Sequence, residues 1–344
     1  MAIIITNPTM TLTVILAKDR DHDYIKAFDN EFNRTHVLAV RRYKGRSNMI
    51  YSKNVFITEV GPRDGLQMEK QVLSTDQKVR LINGLVKAGV SAVQVASFVH
   101  SGKVPQMADA EAVIDALPPT DTVEFSALTL NLKGMERACR TPIQWIEVSL
   151  SASEEQSQNN TGMSVEEGLA EAAAMIDLAQ QKGRKIRGSI QCSFGCVHEC
   201  EIEVSQVQRL AEKLLNKGVD RLILADTTGM ATPPAVRQNL AAILPMAGNV
   251  PVGLHLHDTR GMGLVNLMTA LEMGIAYFDT SLGGLGGCPF VAGAAGNIAT
   301  EDTIHLLNSL NVITGIDNTK VAAESRKLSR LLGRDLTGKM YRLL

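Results

Sequence analysis

Two histidines stand two residues apart in segment 253–258, which reads GLHLHD and is apolar enough to form a strand. Alternate residues of a strand point to the same face, so the imidazoles of His255 and His257 can hold one metal ion together. Taken alone, such a pair is as often two hydrogen-bonded histidines as a metal site. A carboxylate from Asp64, which follows an earlier apolar run, favours the metal site.

The candidate ligand atoms are oxygens and nitrogens, with no thiolate among them. Asn297, in the segment GAAGN at 293–297, adds an amide oxygen to the carboxylate and the two imidazoles. Such a set suits Mg²⁺ or Mn²⁺ and tolerates Zn²⁺ or Co²⁺. A site of this kind with open positions favours Lewis-acid chemistry on substrate oxygens over a closed structural role.

A glycine-rich segment, SLGGLGGCPF at 281–290, carries a single cysteine, Cys288. The four glycines among residues 283–287 are costly in backbone entropy unless the loop moves or approaches a ligand closely. We therefore expect a flexible loop whose cysteine acts as an acid or a nucleophile when the loop closes. The alternative is that Cys288 is buried and packs as a small apolar side chain.

The other cysteines do not indicate a cofactor. Cys192, Cys196 and Cys200 have a C-x3-C-x3-C spacing, whereas the iron–sulfur sites of radical enzymes on barrel folds use C-x3-C-x2-C. The odd total of five cysteines in a long chain is unlike a secreted disulfide framework. We infer a reducing, cytoplasmic setting.

The composition is that of a globular protein that acts on small molecules. The chain has 344 residues, 45% of them hydrophobic, and its 35 basic side chains balance 36 acidic ones. The sequence has no cluster of Lys and Arg, which argues against a nucleic acid or an anionic membrane as the main partner. The sequence contains no run of about 18 apolar residues, so no transmembrane helix is predicted.

Eight short apolar runs, separated by segments of helical periodicity, predict a parallel sheet built from βαβ units. Eight strands each followed by a helix are typical of a TIM (β/α)8 barrel, and the first turn, GPRDG at 61–65, is not the GxGxxG of a dinucleotide-binding sheet. Because polar residues follow several of the runs, we expect them to converge at one mouth of the barrel. The predicted strands span residues 55–60, 92–98, 122–128, 145–150, 186–192, 221–225, 252–257 and 277–282, and the clearest helices span 75–88, 165–182, 204–216, 234–244 and 264–273.

Residues 1–50 do not fit this repeat. We treat them as an N-terminal extension to a barrel domain at 51–344 that finishes in C-terminal helices. The extension is either a strand or helix laid over the barrel or a disordered segment, and it lacks the basic flank and cleavage site of a signal peptide. Met49 lies close to the first predicted strand and is an alternative start of the chain, a hypothesis that mass spectrometry of the native N-terminus would test.

Four motifs resemble those of the 3-hydroxy-3-methylglutaryl-CoA lyases, over about residues 54–316. They are TEVGPRDGLQ at 58–67, SFV at 97–99 with VPQMAD at 104–109, HLHDT at 255–259, and GGCP at 286–289 followed by GNIATED at 296–302. The resemblance implies a barrel, a divalent metal, a homodimer and the cleavage of a 3-hydroxy-3-methylglutaryl thioester to acetyl-CoA and acetoacetate. That reaction belongs to leucine degradation and ketone body formation. The cysteine loop separates these lyases from the Claisen-type synthases of their wider superfamily.

The resemblance also implies a role for each candidate site residue. The metal ligands are Asp64, His255, His257 and Asn297, while Arg63 stabilises the enolate on the thioester oxygen and Cys288 protonates the enolate carbon. A fixed guanidinium suits a developing enolate. The general base is either His255 or a carboxylate near the metal, although a histidine bound to metal through one nitrogen has little capacity left for proton transfer.

Two departures from the family lie where the acyl group and CoA should enter. Gln94, which we expect to contact the substrate, replaces a Glu in the second strand, and HSGK at 100–103 lacks the family's usual Pro-Lys-Trp. An amide keeps the hydrogen bonding but loses the charge. Three alternatives therefore stay open: the same chemistry on a 3-hydroxyacyl-CoA with a longer or more polar group at C3, a Claisen-type synthase, and a barrel that binds CoA esters without turnover. If Gln94 impairs the native chemistry, Gln94→Glu should raise activity strongly.

Overall fold

The chain divides after Ile50 into two units in the computed structural model of the protein, which describes residues 51–197, 201–287 and 295–344 together with four strands within residues 2–36. The first unit, Met1–Ile50, contains an antiparallel sheet whose strands lie in chain order. They are β1 (Ala2–Asn7), β2 (Met10–Asp19), β3 (His22–Asp29) and β4 (Arg34–His36).

Eight parallel strands of the second unit, Tyr51–Leu344, close into a barrel. They follow one another around the barrel in chain order, and the last pairs with the first. They are β5 (Phe56–Glu59), β6 (Ala92–Ser97), β7 (Glu124–Thr129), β8 (Trp145–Ser151), β9 (Lys185–Gln191), β10 (Arg221–Ala225), β11 (Val252–His255) and β12 (Tyr277–Thr280). The TIM-barrel prediction and all eight predicted strands are confirmed, with the strand ends shifted by two residues at most.

Helices cover the outside of the barrel and follow its strands. In the described residues they are α1 (Thr75–Lys87), α2 (Ala110–Asp115), α3 (Leu132–Cys139), α4 (Glu154–Thr161), α5 (Val165–Gln181), α6 (Val204–Asn216), α7 (Pro233–Ala247), α8 (Gly263–Glu272), α9 (Thr300–Ser309) and α10 (Asn318–Leu332). The helices α1 and α5 begin with capping boxes at Ser74 and Ser164, which satisfy backbone N–H groups of the first turn. All five predicted helices are confirmed. None of the described helices is long and apolar enough to cross a membrane.

A buried carboxyl group, Glu59, ties the end of β5 to the two segments that bring Asn297 to the barrel mouth. Its Oε1 accepts hydrogen bonds from the backbone N–H of Gly61 at 2.8 Å and of Leu282 at 2.9 Å, and its Oε2 accepts one from Thr300 Oγ1 at 2.6 Å. Burial disfavours the carboxylate more than these donors stabilise it, which raises the pKa of Glu59 to about 8. The side chain therefore takes up a proton on folding at neutral pH.

We expect this proton uptake to make stability depend on pH. Between the unfolded pKa of Glu59 and its folded value of about 8, the folded state binds more protons, so the free energy of unfolding falls as pH rises. A single such group contributes a slope of about 1.4 kcal/mol per pH unit. Glu59→Gln keeps an acceptor for the two N–H groups and should remove this slope in urea unfolding between pH 5.5 and 7.5. The exposed Glu136→Gln is the control, and an unchanged slope in Glu59→Gln would contradict the assignment.

Candidate active site

The predicted site residues come together at the carboxyl ends of the barrel strands. Arg63 and Asp64 lie in a tight π-helical turn, Gly61–Gly65, directly after β5. The backbone N–H groups of Arg63 and Asp64 both donate to the carbonyl of Val60, at 3.0 Å and 2.7 Å. Both residues are buried, and both line the same cavity at the barrel mouth.

The strand β11 ends at His255, two residues earlier than predicted. Beyond it the chain pairs with the segment before α9 instead of with β10 or β12: Ile298 N donates to Leu256 O at 3.1 Å, and His257 forms an isolated bridge with Asn297. The backbone nevertheless keeps both imidazoles on one side. Their Nε2 atoms lie 3.1 Å apart.

Asp64, His255 and His257 form a buried cluster of possible metal ligands. One ligand atom from each lies within 4.8 Å of the others, and Asp64 Oδ2 is 3.9 Å from His255 Nε2. Asn297 joins this cluster, since its Nδ2 donates to Asp64 Oδ2 at 2.8 Å. The other amide atom, Asn297 Oδ1, is buried without a hydrogen-bond partner among the described residues. An uncompensated buried acceptor is costly, and a cation would satisfy it.

Burial and neighbouring charges shift the pKa values of the two imidazoles in opposite directions. His255 Nδ1 lies 3.4 Å from Asp279 Oδ2. Burial lowers the pKa of His255, but the hydrogen bond to Asp279 and the charge of Asp64 outweigh burial and raise it. Burial and the positive charge of His255 lower the pKa of His257 to about 3. With its Nδ1–H on Asp279, a neutral His255 presents the lone pair of Nε2, which is the second-shell arrangement common around metal-binding histidines.

The carboxyl group of Asp64 is ionised in this environment. Burial alone would raise its pKa, yet the guanidinium of Arg63 and the two imidazoles lower it. Arg63 Nη1 donates to Asp64 Oδ1 at 2.5 Å. One carboxylate, two imidazoles and one amide oxygen therefore fit a divalent cation that prefers oxygen and nitrogen ligands.

A close approach between two glycines brings Asn297 to the cluster. Gly286 and Gly296 both have positive φ, at 137° and 76°, and a Cβ on Gly296 would lie 2.5 Å from the carbonyl carbon of Gly286. Gly283 and Gly284 also have positive φ. The glycines that the sequence marks as unusual thus serve backbone conformation and close packing. The predicted catalytic Cys288 lies outside the described residues.

Gln94 on β6 links Arg63 to Glu147, a carboxyl group that no motif of the sequence marks. Its Oε1 accepts a hydrogen bond from Arg63 Nε, and its Nε2 donates to Glu147 Oε2 at 2.8 Å. Glu147, on the inward face of β8, is buried. The chain thus places a carboxyl group at position 147, one side chain farther from Arg63 than position 94.

We expect Gln94→Glu to lower activity and stability. It removes the donor to Glu147 and sets two buried carboxyl groups at hydrogen-bond distance, which costs about 2 kcal/mol of unfolding free energy. In the double variant Gln94→Glu/Glu147→Gln the amide and the carboxyl group exchange places. It should be more stable than the sum of the two single changes by a coupling energy of about 1–2 kcal/mol, although Arg187 loses the charge of Glu147. A double-mutant cycle by urea unfolding measures it, and a single variant more active than wild type would contradict the arrangement.

The barrel interior also holds a buried charge network, built from Glu147, Arg187 and Asp279. Arg187 Nη2 donates to both carboxylate oxygens of Asp279 at 2.8 Å, and Arg187 Nε lies 3.1 Å from Glu147 Oε2. The charges of Asp279 and Glu147 outweigh burial and raise the pKa of Arg187, and Arg187 in turn lowers the pKa of Asp279 against its burial. This network fixes Asp279 beneath His255. Its sequence signal is a charged residue inside each of three apolar strands.

A cavity of about 560 Å³ opens over the cluster. Arg63, Asp64, His255 and His257 line it, as do residues of β8, β9 and α4. Gly287, the residue before Cys288, lines it as well. The volume is that of a small-molecule site.

Comparisons with known proteins agree with this geometry. A family profile described as HMGL-like matches residues 54–327. The chain is 37% identical over 286 residues to the cytoplasmic 3-hydroxy-3-methylglutaryl-CoA lyase of Danio rerio, covering 83% of this chain and 85% of that one. It is 36% identical over 304 residues to the mitochondrial hydroxymethylglutaryl-CoA lyase of Homo sapiens, covering 88% of this chain and 94% of that one. The structure of an HMG-CoA lyase from Acinetobacter baumannii in complex with coenzyme A and 3-methylmalate has a TM-score of 0.81 and 36% identity, covering 84% of this chain and 95% of that one.

Proposed function

The chain belongs to the hydroxymethylglutaryl-CoA lyase family, and from that we propose that it cleaves 3-hydroxy-3-methylglutaryl-CoA to acetyl-CoA and acetoacetate. The protein is a carbon–carbon lyase. The observation that carries the proposal is the buried set of Asp64, His255, His257 and Asn297 beside Arg63 in one cavity. The complex of the related lyase with coenzyme A supports a CoA thioester as the substrate.

The reaction breaks the bond between C2 and C3 of the acyl chain. The tertiary hydroxyl on C3 loses its proton and becomes the ketone of acetoacetate, while the electron pair passes to C2 as the enolate of acetyl-CoA. The hydrogen bonds that the described residues make to Arg63 occupy Nε and Nη1, which leaves Nη2 to donate to the enolate oxygen. A guanidinium that two partners hold in place is preorganised for the charge that develops there.

We propose Asp64, His255, His257 and Asn297 as ligands of a divalent metal, with Mg²⁺ or Mn²⁺ as its identity. The ligand types support this choice, because hard oxygen donors and two imidazoles suit these ions. A bound divalent ion lowers the pKa of the substrate hydroxyl and polarises its oxygen.

His255 can serve either as a metal ligand or as the general base, and the two roles require the same atom. Its Nδ1 faces Asp279 at 3.4 Å, so only Nε2 is directed toward the cluster. Nε2 cannot hold a cation and accept a proton at once. We therefore favour His255 as a ligand, which leaves a carboxylate near the site as the proton acceptor.

Cys288 is proposed to protonate C2 of the enolate, a role that rests on the family motif GGCP at 286–289. Cys288→Ala is expected to lower kcat by about 100-fold with a smaller change in KM, because the thiol acts in the transition state. The same variant should lose the exchange of acetyl-CoA methyl protons with D2O, which proton NMR follows. An equal loss of substrate binding would indicate a packing role instead.

An assay of purified protein with Mg²⁺ and 3-hydroxy-3-methylglutaryl-CoA tests the proposed function. Acetyl-CoA and acetoacetate should form in equal amounts, each detected independently of the other. Disappearance of the thioester without acetoacetate would indicate hydrolysis and would overturn the proposal.

We further propose a barrel lyase domain at 51–344, an extension at 1–50, a homodimer and a cytoplasmic location. The named relatives include both cytoplasmic and mitochondrial lyases, and the odd cysteine count supports a reducing compartment. Light scattering of the full chain and of a 51–344 variant tests the first three proposals together. Loss of folding or activity in the shortened chain would contradict the domain boundary.

A further inference from the structure

The inward-facing residues of β8 and β9 are polar, and several are small. Successive inward positions are Glu147 and Ser149 on β8, and Arg187, Ser189 and Gln191 on β9. In the parallel register Ser149 lies beside Ser189, one layer above the pair of Glu147 and Arg187. Bulky branched apolar residues usually fill these layers of a TIM barrel. Two adjacent serines fill less of the barrel interior than such residues would, and both line the cavity.

Three side chains above this layer form an oriented chain of hydrogen bonds. Gln156 Nε2 donates to Gln191 Oε1 at 2.7 Å, and Gln191 Nε2 donates to Ser149 Oγ at 2.9 Å. The two amides are oriented relative to each other, since flipping one alone would face two like atoms, and in either joint orientation one amide atom of Gln156 is left at the end of the chain. At one end the hydroxyl proton of Ser149 is left to donate. At the other end Gln156 Oε1 is buried and has no hydrogen-bond partner among the described residues.

Gln156 has 3% of its surface exposed and lines the same cavity as the metal-ligand cluster. The short helix α4, which follows β8 directly, carries it together with Asn160 one turn later. A buried acceptor without a partner is costly unless a ligand supplies a donor. Gln156 and Ser149 both line the cavity, so a ligand group that reaches the Gln156 amide and the Ser149 hydroxyl could satisfy the acceptor and the donor that these side chains leave unpaired.

The charge of this wall selects the kind of ligand group. Gln156, Asn160, Ser149, Ser189 and Gln191 are uncharged, and Arg187 offsets the deeper Glu147 at 3.1 Å. The cations that line the cavity, Arg63 and Lys103, follow β5 and β6 instead. The wall of β8, β9 and α4 presents no uncompensated cation to an anionic group, whereas a hydroxyl group could both donate and accept there.

We infer that the wall formed by Ser149, Ser189, Gln191 and Gln156 is a subsite for an uncharged, hydroxyl-bearing substituent on C3 of the substrate. The inference rests on the proposed function and extends it to 3-hydroxyacyl-CoA thioesters that carry such a group in place of the methyl. The reaction is unchanged: the C2–C3 bond breaks, the C3 hydroxyl proton leaves, C3 becomes a ketone and C2 takes a proton. With a hydroxymethyl group on C3, the products are acetyl-CoA and 4-hydroxy-3-oxobutanoate.

The test compares two substrates of nearly equal size. They are 3-hydroxy-3-(hydroxymethyl)glutaryl-CoA and 3-hydroxy-3-ethylglutaryl-CoA, which differ in one hydroxyl against one methyl. We expect wild-type protein to prefer the hydroxymethyl thioester by at least about tenfold in kcat/KM, because an apolar analogue leaves the wall unsatisfied. Equal or better cleavage of the ethyl thioester would overturn the subsite.

Gln156→Leu should lower kcat/KM for the hydroxymethyl thioester by about tenfold and leave the ethyl and methyl thioesters within about twofold. Ser149→Ala, which cannot disturb packing greatly, should reduce the same preference. Gln158→Leu, on the exposed face of α4, is the matched control. A loss that is equal for all three thioesters would assign Gln156 a structural role and refute the inference.

Measuring cleavage of the methyl thioester distinguishes a failure of this inference from a failure of the proposed function. Cleavage of the methyl thioester without a hydroxymethyl preference removes only the subsite. Cleavage of the hydroxymethyl thioester alone keeps the subsite and replaces the principal substrate. If the protein cleaves none of the three thioesters, both the proposed function and the subsite are overturned.

Discussion

Arg63→Lys is expected to lower kcat/KM by about 1,000-fold, mostly through kcat. Lysine keeps the positive charge but not the planar fork, with which Arg63 reaches Gln94 and Asp64 from two nitrogens and would reach the substrate from the third. An ammonium at this position cannot hold the same three partners together. The enolate would then develop without a fixed donor, whereas ground-state binding of the thioester would change little.

Steady-state kinetics with the methyl thioester measure this effect, and thermal unfolding checks that the fold is intact. Arg260→Lys is the control, because Arg260 is exposed and donates to the carbonyls of Thr228 and Gly229 beside the barrel mouth. It should stay within about twofold of wild type. A rise in KM at constant kcat for Arg63→Lys would show that Arg63 binds substrate and transition state equally.

The architecture of the barrel was accessible from the sequence because each element carries a local signal. The strands are short apolar runs, and helices such as α1 and α5 combine serine caps with a following glycine at 89 and 183. The predicted strand ends are least accurate where contacts with distant segments, instead of the local sequence, determine where a strand stops. Beyond His255 the chain continues extended but pairs with the segment at 297–298, which no local pattern could indicate.

The site divides in a similar way. Asp64, His255, His257 and Asn297 could be named because motifs carry them, and the structure brings all four together. The charged interior around Arg187 was missed, since its partners Glu147 and Asp279 are 40 or more residues away in sequence. The available signal was chemical: a charge in a buried strand requires a partner, and three strands each hold one.

Gln94 illustrates how the interpretation of a single position depends on its neighbours in the fold. Alone, it implies a lost charge and impaired chemistry. Its contact with Glu147 at 2.8 Å shows that the neighbourhood of Arg63 keeps a carboxylate, relayed through an amide. The same carboxylate belongs to β8, whose next inward residue, Ser149, opens the uncharged wall. Gln94 and the polar wall of the cavity are therefore adjacent features on one side of the barrel.

His257→Leu is expected to abolish metal binding and to lower kcat/KM by about 1,000-fold without destabilising the metal-free protein. His257 is buried and, among the described residues, its Nδ1 has no hydrogen-bond partner while its Nε2 lies 3.1 Å from His255 Nε2. Replacement by leucine therefore leaves one polar atom fewer to satisfy in the core. A side chain that costs stability in the absence of a ligand is retained for function.

Titration of Mn²⁺ by electron paramagnetic resonance measures this loss directly: wild type should bind one ion per chain and His257→Leu none in the same concentration range. Thermal unfolding after chelation should give the variant a Tm equal to or above that of wild type, and added Mg²⁺ or Mn²⁺ should raise the Tm of wild type alone. His305→Leu, on the exposed face of α9, is the matched control. Undiminished Mn²⁺ binding by His257→Leu would remove this imidazole from the ligand set, and a lower Tm in the metal-free variant would mean that His257 stabilises the fold in its own right.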